Sequence, residues 1–321
     1  MISNKIILIF GGSGSLGNAL IKKYIKNNII FIYSRDENKH WLMNLKYKNV
    51  NLNFVIGDIR DFDKVKQSLI RINPHIIIIA AALKHVDKCE FESNEAINTN
   101  LIGTQNIINN IENLHTILTN LETTCFVSTD KACSPVNIYG MTKAISESIM
   151  IEKAKYITNK KFVNVRYGNV LNSRGSIIPI LHKIGNSIQY ESFSITDSRM
   201  SRFIMTLDES VELIEYAILK CESGDTVIPK LKSMNIKDLI EIFSQKYNKP
   251  ITKSNIRPGE KIYESLINDM QFSRTIEKDI YYIIKPSYSS NISNNIFDYN
   301  SSLNPISKEE LYKYLYDIEM L

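Results

Sequence analysis

Short, almost wholly apolar runs alternate with helical patterns through the first half of the chain, and that rhythm restricts the fold more than any other feature. The runs are "KIILIF", "IIFIYS", "NLNFVIG", "HIIIIAAAL", "TTCFVST" and "KFVNVRYG". Between them, helices are expected over 15–27, 39–48, 62–73, 94–112 and 139–157. Strands this apolar must be covered on both faces, and intervening helices are the crossovers that let successive strands run parallel. The expectation is an α/β fold with a doubly wound parallel sheet. After about Gly168 the pattern loosens into shorter elements, Arg- and Gly-bearing loops and a helix-rich tail. Residues 1–168 are therefore expected to form the first domain, with later crossings back, and residues 169–321 a smaller C-terminal α/β substrate-binding domain. A chain of 321 residues is long enough for two such units. The Asn/Ser-rich "SYSSNISNNIFDYNSSLN" reads as a loop or loosely ordered segment.

The glycines say what the sheet carries. "GGSGSLG" leaves the first strand and opens the first helix, placing Gly11, Gly14 and Gly17 at Gly-x-x-Gly-x-x-Gly spacing. Such a loop lets backbone N–H groups approach a pyrophosphate at a positive helix end. A plain turn uses the same residues, but the strand–loop–helix setting favours a dinucleotide and a Rossmann-type first domain. At the end of the second strand stand Ser34 and Arg35, with Asp36 next. A hydroxyl and a guanidinium suit the 2′-phosphate of NADP. The alternative is a solvated Arg35, with Asp36 holding the ribose of NAD. "GDIRD" sets Asp58 and Ile59 where an adenine would lie, or simply ends the third strand in a turn.

Four cysteines, Cys89, Cys125, Cys133 and Cys221, form neither a Cys-x-x-Cys pair nor a dense framework. No metal is expected, and a reducing compartment fits. No apolar run approaches the ~20 residues that span a bilayer, and the N-terminus enters a strand without a signal-peptide pattern. A cytoplasmic protein without a membrane partner is expected. The net charge of +5 is modest and dispersed. It suits a solvated surface or a small anionic ligand, and no nucleic-acid partner is expected.

Tyr-x-x-x-Lys occurs at Tyr139/Lys143, Tyr156/Lys160, Tyr216/Lys220 and Tyr281/Lys285, so position must choose. Only Tyr139/Lys143 opens a helix directly after an apolar strand, whose exit carries Ser128, Thr129, Asp130 and Lys131. One helical turn brings Lys143 beside Tyr139, where a positive charge would favour phenolate. Thr129 would hold the substrate hydroxyl.

Taken with "YSRDE", "AAALKHVD", "NTNLIGTQN", "RYGNVLNSRGSIIP", "ITDSRMSRF", "VIPK" and "IRPGEKIYE", the run "STDKACSPVNIYGMTK" makes a narrower match. The chain resembles the extended short-chain dehydrogenases/reductases, and within them the UDP-N-acetylglucosamine 4,6-dehydratases, including those that invert C5. The match runs in family order over residues 6–265. That resemblance implies a tightly bound, recycled NADP that takes hydride from sugar C4 and returns it to C6. Tyr139 would remove the C4 hydroxyl proton, Lys131 the C5 proton, and Asp130 would protonate the departing C6 hydroxyl. Reprotonation of C5 from the opposite face by Tyr139 would invert that centre. These roles require a neutral Lys131 and a protonated Asp130, which burial would favour and a simple ion pair would oppose.

The resemblance also implies cofactor contacts from Ser15, Ala80, Lys84 and Asn100, the last supporting the active-site backbone. Lys84, His85, Asn169, Arg174, Gly175, Ser176, Thr196, Arg199, Arg202, Arg257 and Glu260 would meet the nucleotide sugar. Of these, Arg199 and Arg202 would face the diphosphate and Glu260 the ribose. A homo-oligomer, dimer or hexamer, is implied. The chain departs from the pattern at Phe10, Asp87, Asn94 and Asn172, the last replacing a usual glycine. A nucleotide-sugar 4-epimerase and a non-catalytic dinucleotide sensor stand as the alternatives.

Overall fold

The alternating apolar runs become strands whose two faces are covered by different helices. The structure, a computed structural model, describes residues 1–289 and 298–321. The first half runs β1 (Ile6–Phe10), α1 (Ser15–Tyr24), β2 (Ile29–Ser34), α2 (Glu37–Tyr47), β3 (Leu52–Ile56), α3 (Phe62–Ile72), β4 (Ile76–Ile79), α4 (Val86–Phe91) and α5 (Ser93–Ala96). A π-helical stretch, Ile97–Ile102, leads into α6 (Gly103–Asn113), then β5 (Thr123–Val127), α7 (Ile138–Tyr156) and β6 (Lys161–Val165). Beyond these come β7 (Asn169–Val170), α8 (Ile177–Asn186), β8 (Phe193–Ile195), β9 (Ser201–Met205), α9 (Leu207–Lys220), β10 (Thr226–Pro229), β11 (Lys232–Asn235) and α10 (Ile236–Tyr247). The chain closes with β12 (Ile251–Lys253), β13 (Ser265–Ile267), α11 (Asp269–Phe272), β14 (Thr275–Lys278), β15 (Tyr281–Ile284), β16 (Tyr299–Asn300) and α12 (Lys308–Asp317).

Among the described residues, nine strands form one sheet in the order β14-β15-β10-β6-β5-β4-β1-β2-β3. It is parallel from β3 to β10 and antiparallel at the β15 and β14 edge. Strand order reverses between β1 and β4, which opens a crevice at their carboxyl ends, where ligands bind in sheets of this kind. Period-two alternation explains the layers. Ile7 and Ile9 of β1 pack with Leu20, Ile21, Val211 and Ile214, from α1 and α9. Leu8 and Phe10 pack with Leu69, Ile107, Ile111 and Met150, from α3, α6 and α7.

The helix expected over 94–112 is broken into α5, the π-helical stretch and α6, a boundary that apolar periodicity cannot reveal. Past residue 168 the chain recrosses: α9, β10, β14 and β15 all belong to the large sheet layer. The smaller unit is built from the β11-β9-β7 sheet, the β12-β8 pair and α8, α10 and α12. Its core gathers Leu171, Ile178, Phe193, Leu239, Phe243, Leu311 and Leu315. Within the Asn/Ser-rich run, expected to be a loop or loosely ordered segment, Tyr299–Asn300 form β16, paired antiparallel with β13. Residues 290–297 of that run lie outside the described residues. No helix among the described residues is long and apolar enough to cross a membrane.

Candidate active site

A cleft of about 880 Å³ opens at the carboxyl ends of the parallel strands. At one end it is lined by Gly11, Gly14, Ser15, Ser34, Arg35, Asp58, Ile59 and Ala80. Gly11 has φ +80°, and a Cβ there would stand 2.6 Å from the backbone of Ala81, so only glycine lets the β1–α1 turn lie against the end of β4. Gly17 does not line the cleft; it lets α1 pack against the backbone of Gly12. No side chain caps α1 at Gly14, which leaves the helix start open to an anion.

Beyond β2, the Ser34 hydroxyl pairs with His40 Nε2 at 2.7 Å, and the Arg35 Nη1 lies 3.6 Å from Asp58 Oδ2. Asp36 caps α2, accepting from Lys39 N at 3.0 Å and pairing with Lys39 Nζ at 2.5 Å. Its carboxylate is thus committed to its own helix, while Lys39, unnoticed in the sequence, lines the cleft. The hydroxyls of Ser128 and Ser176 also line it, and both are buried with no hydrogen-bond partner among the described residues. Open helix start, glycine cradle and the orphaned Ser128 hydroxyl fit a dinucleotide carrying phosphates and a polar ring.

Below that end lies the Tyr139 centre. Asn137 starts α7 by accepting from Gly140 N at 2.8 Å, which sets Tyr139 on its first turn and Lys143 one turn later. Lys143 Nζ donates to Val127 O at 2.8 Å, and burial pushes it down to about 7, opposed by Glu147. Burial pushes Tyr139 up to about 12, opposed by Lys131 and the Thr129 hydroxyl. Lys131 stands among the groups that most favour the Tyr139 phenolate, while Lys143, expected to do so, has its Nζ on Val127 O.

Lys131 itself departs from expectation. Its Nζ donates to the fully buried Asp130 Oδ1 at 3.0 Å and lies 3.3 Å from Glu264 Oε1. Burial works against the ammonium, but Asp130 and Glu264 together outweigh it and hold Lys131 above the ordinary lysine value. The pair is an ion pair, not the neutral lysine and protonated acid that the sequence reading required. Those two states differ only by one proton moved along the 3.0 Å contact. Thr129, expected to hold the substrate hydroxyl, donates to Asp130 Oδ1 at 3.0 Å. Glu264 was missed; the only signal was its place as the acid closing "RPGEKIYE".

On the opposite wall, Lys84, His85, Asn169, Arg174, Gly175, Ser176, Arg257 and Glu260 all line the cleft. Lys84 Nζ donates to Arg174 O at 2.6 Å and Arg174 N to Ser15 Oγ at 2.9 Å, so the 172–176 loop is tied across the glycine loop. Asn172 in that loop has φ +57°, which explains a usual glycine there and why asparagine serves. Glu260 Oε2 accepts from Arg257 N at 3.2 Å.

Four expected contacts take other places. Arg202 lines the cleft, but its guanidinium donates to the carbonyls of Ser201 (2.7 Å), Lys261 (2.8 Å) and Ile262 (3.0 Å), fastening the "RPGEK" loop to β9. Thr196 and Arg199 do not line the cleft; Arg199 is 74% exposed and clasps Asp197 at 2.7 and 3.0 Å. Asn100 is buried behind the cleft, accepting from Leu83 N at 2.7 Å and donating to Leu83 O at 2.9 Å. It supports the backbone without lining the cofactor end.

The family model described as "Polysaccharide biosynthesis protein" matches residues 7–286. An uncharacterised membrane protein of Methanocaldococcus jannaschii is 36% identical, over 99% of this chain and 97% of its own. A UDP-glucose 4-epimerase of Rickettsia rickettsii is 37% identical over 88% of this chain and 84% of its own. An inverting UDP-N-acetylglucosamine 4,6-dehydratase of Campylobacter jejuni is 36% identical over 94% of this chain and 89% of its own. Among solved structures, Pen from Bacillus thuringiensis superposes with a TM-score of 0.89 at 31% identity, covering 99% of both chains.

Proposed function

The chain belongs to the polysaccharide biosynthesis protein family, and from that membership we propose that it is a UDP-N-acetylglucosamine 4,6-dehydratase that inverts C5. The product would be UDP-2-acetamido-2,6-dideoxy-β-L-arabino-4-hexulose. Relatives of equal similarity carry epimerase and dehydratase names, so names do not choose between them. The observation that carries the reading is the buried Asp130–Lys131 pair in the same cleft as Tyr139. Moving hydride to and from C4 needs no such pair; eliminating water across C5–C6 needs both an acid and a base.

A nicotinamide dinucleotide along the glycine loop supplies a reversible hydride acceptor. NADP is favoured over NAD because Ser34, Arg35 and Lys39 offer a hydroxyl and two cations, while Asp36 is held by α2. Tyr139 takes the C4 hydroxyl proton. Lys131, once its proton has passed to Asp130, removes the C5 proton, and Asp130 protonates the departing C6 hydroxyl. Tyr139 then returns its proton to the other face of C5. Lys84, His85, Asn169, Arg174, Ser176, Arg257 and Glu260 would hold the nucleotide sugar, mostly from the smaller C-terminal unit. The working form would be a cytoplasmic homo-oligomer, dimer or hexamer.

Incubation with UDP-N-acetylglucosamine in deuterated water tests this. Dehydration with deuterium at C5 and inverted configuration is expected. Asp130→Asn and Lys131→Ala should abolish it, by at least about a hundredfold, while dinucleotide binding persists. Conversion to UDP-N-acetylgalactosamine would establish the epimerase reading instead, and no turnover a sensing role.

A further inference from the structure

Glu264 is a buried carboxylate in the cleft that the scheme above leaves unused. It is 2% exposed and immediately precedes β13. Its backbone is fixed from both sides, Glu264 N donating to Ser301 Oγ at 3.1 Å and Ser301 N to Glu264 O at 2.9 Å. Oε1 lies 3.3 Å from Lys131 Nζ. Oε2 accepts no hydrogen bond among the described residues and lies 3.6 Å from Lys261 Nζ.

We propose that Glu264 is the third member of the acid–base set, a positioning residue that holds Lys131 between two carboxylates and keeps a negative charge against it while a proton moves within the Asp130–Lys131 pair. The proposal rests on the dehydratase reading. Asp130 and Glu264 reach Lys131 from segments far apart in sequence, so together they fix where its Nζ points. Arg202 of β9 opposes the Lys131 charge, Lys131 acts in turn on Tyr139 of α7, and the buried Arg166 just after β6 acts on Asp130.

Proton bookkeeping gives Glu264 its part. Asp130 accepts a hydrogen bond from Lys131 Nζ at 3.0 Å, whereas Glu264 stands 3.3 Å from that nitrogen and also faces Lys261 at 3.6 Å. The proton path therefore runs along the Lys131–Asp130 hydrogen bond, with Glu264 beside it as the fixed counter-charge. In the elimination, the C5–H electron pair forms the C5–C6 double bond as its proton goes to Lys131 Nζ. The C6–O bond breaks, and the oxygen leaves as water with the proton from Asp130. The step leaves Lys131 as the cation, facing Asp130 and Glu264 across the contacts of 3.0 and 3.3 Å. Passing one proton back from Lys131 to Asp130 resets the cluster without solvent. Throughout, the Glu264 charge strengthens Lys131 as a base.

The test is the pH profile of C5 deuterium incorporation and dehydration by the full-length, dinucleotide-loaded enzyme. Removing the Glu264 charge lets the cluster shed its inhibiting extra proton more easily. Glu264→Gln should move the acid-side fall to lower pH by about one unit and reduce the plateau roughly tenfold. Glu264→Asp should restore the position of the fall. Lys261→Met, which strips the counter-ion from Glu264, should move it the opposite way, to higher pH, and this variant stands in if Glu264→Gln fails to fold. Profiles that coincide with wild type in Glu264→Gln, or in Lys261→Met, overturn the inference while leaving dehydration intact. A wild type that dehydrates nothing overturns the dehydratase reading and this inference with it.

Discussion

Lys143 shows at the scale of one residue how a site is built against stability. It is buried, donates to Val127 O, and is pushed down to about 7. An unfolded lysine titrates near 10.4, so between those values the unfolded chain binds more protons and stability rises with pH. The cost is complete below about 7 and gone above the unfolded value. Lys143→Met, similar in length and uncharged, should therefore stabilise the fold at pH 7 by on the order of 2 kcal/mol. Thermal melts at neutral and at alkaline pH check this: the gain should shrink as pH rises, and a loss of stability at pH 7 would contradict the argument.

Single elements decide where the loops around the site stand. The π-helical stretch Ile97–Ile102 seats Asn100 under Leu83, the residue before Lys84 and His85. Asn100 satisfies both backbone groups of Leu83, and its own amide also lies 3.4 Å from Thr142 Oγ1 of α7. Asn100→Ala would leave buried groups unpaired and should cost roughly 2–3 kcal/mol. It should also raise KM for the nucleotide sugar, because the strand exit carrying Lys84 and His85 loses its anchor. Denaturant midpoints and steady-state kinetics measure the two effects; an unchanged midpoint would remove the anchoring role.

For the whole molecule, the division at residue 168 does not cut the fold into independent halves. β6 pairs with β10, at Asn164 with Thr226 and Val165 with Val227, and α9 supplies Val211, Leu213, Ile214 and Ala217 to the core under β1. A fragment of residues 1–168 loses that cover and exposes a sheet edge. It should fail to unfold cooperatively and should aggregate, as near-ultraviolet circular dichroism and light scattering would show. A soluble fragment with a sharp transition would mean that the returning elements are dispensable. The same interleaving lets one sheet face both the dinucleotide end and the opposite wall of one cleft.

Much of this was legible in the sequence. Apolar runs that must be covered on both faces dictate a parallel sheet, and glycines at the β1–α1 turn mark where a backbone must come close to its neighbour. Both are local properties, carried by strand length, side-chain type and spacing. Positions of charge were not legible, because they depend on which distant segments meet. Glu264, Lys131 and Lys261 converge only when β13 packs near the turn after β5. Arg199 and Arg202 are three residues apart, yet one points to solvent beside Asp197 and the other is spent on backbone carbonyls. The sequence by itself determined the sheet, the glycine loop and the Tyr139 helix. Only the tertiary structure decided the protonation of Lys131, since an ion pair's strength is set by burial and separation, and neither is written in residue order.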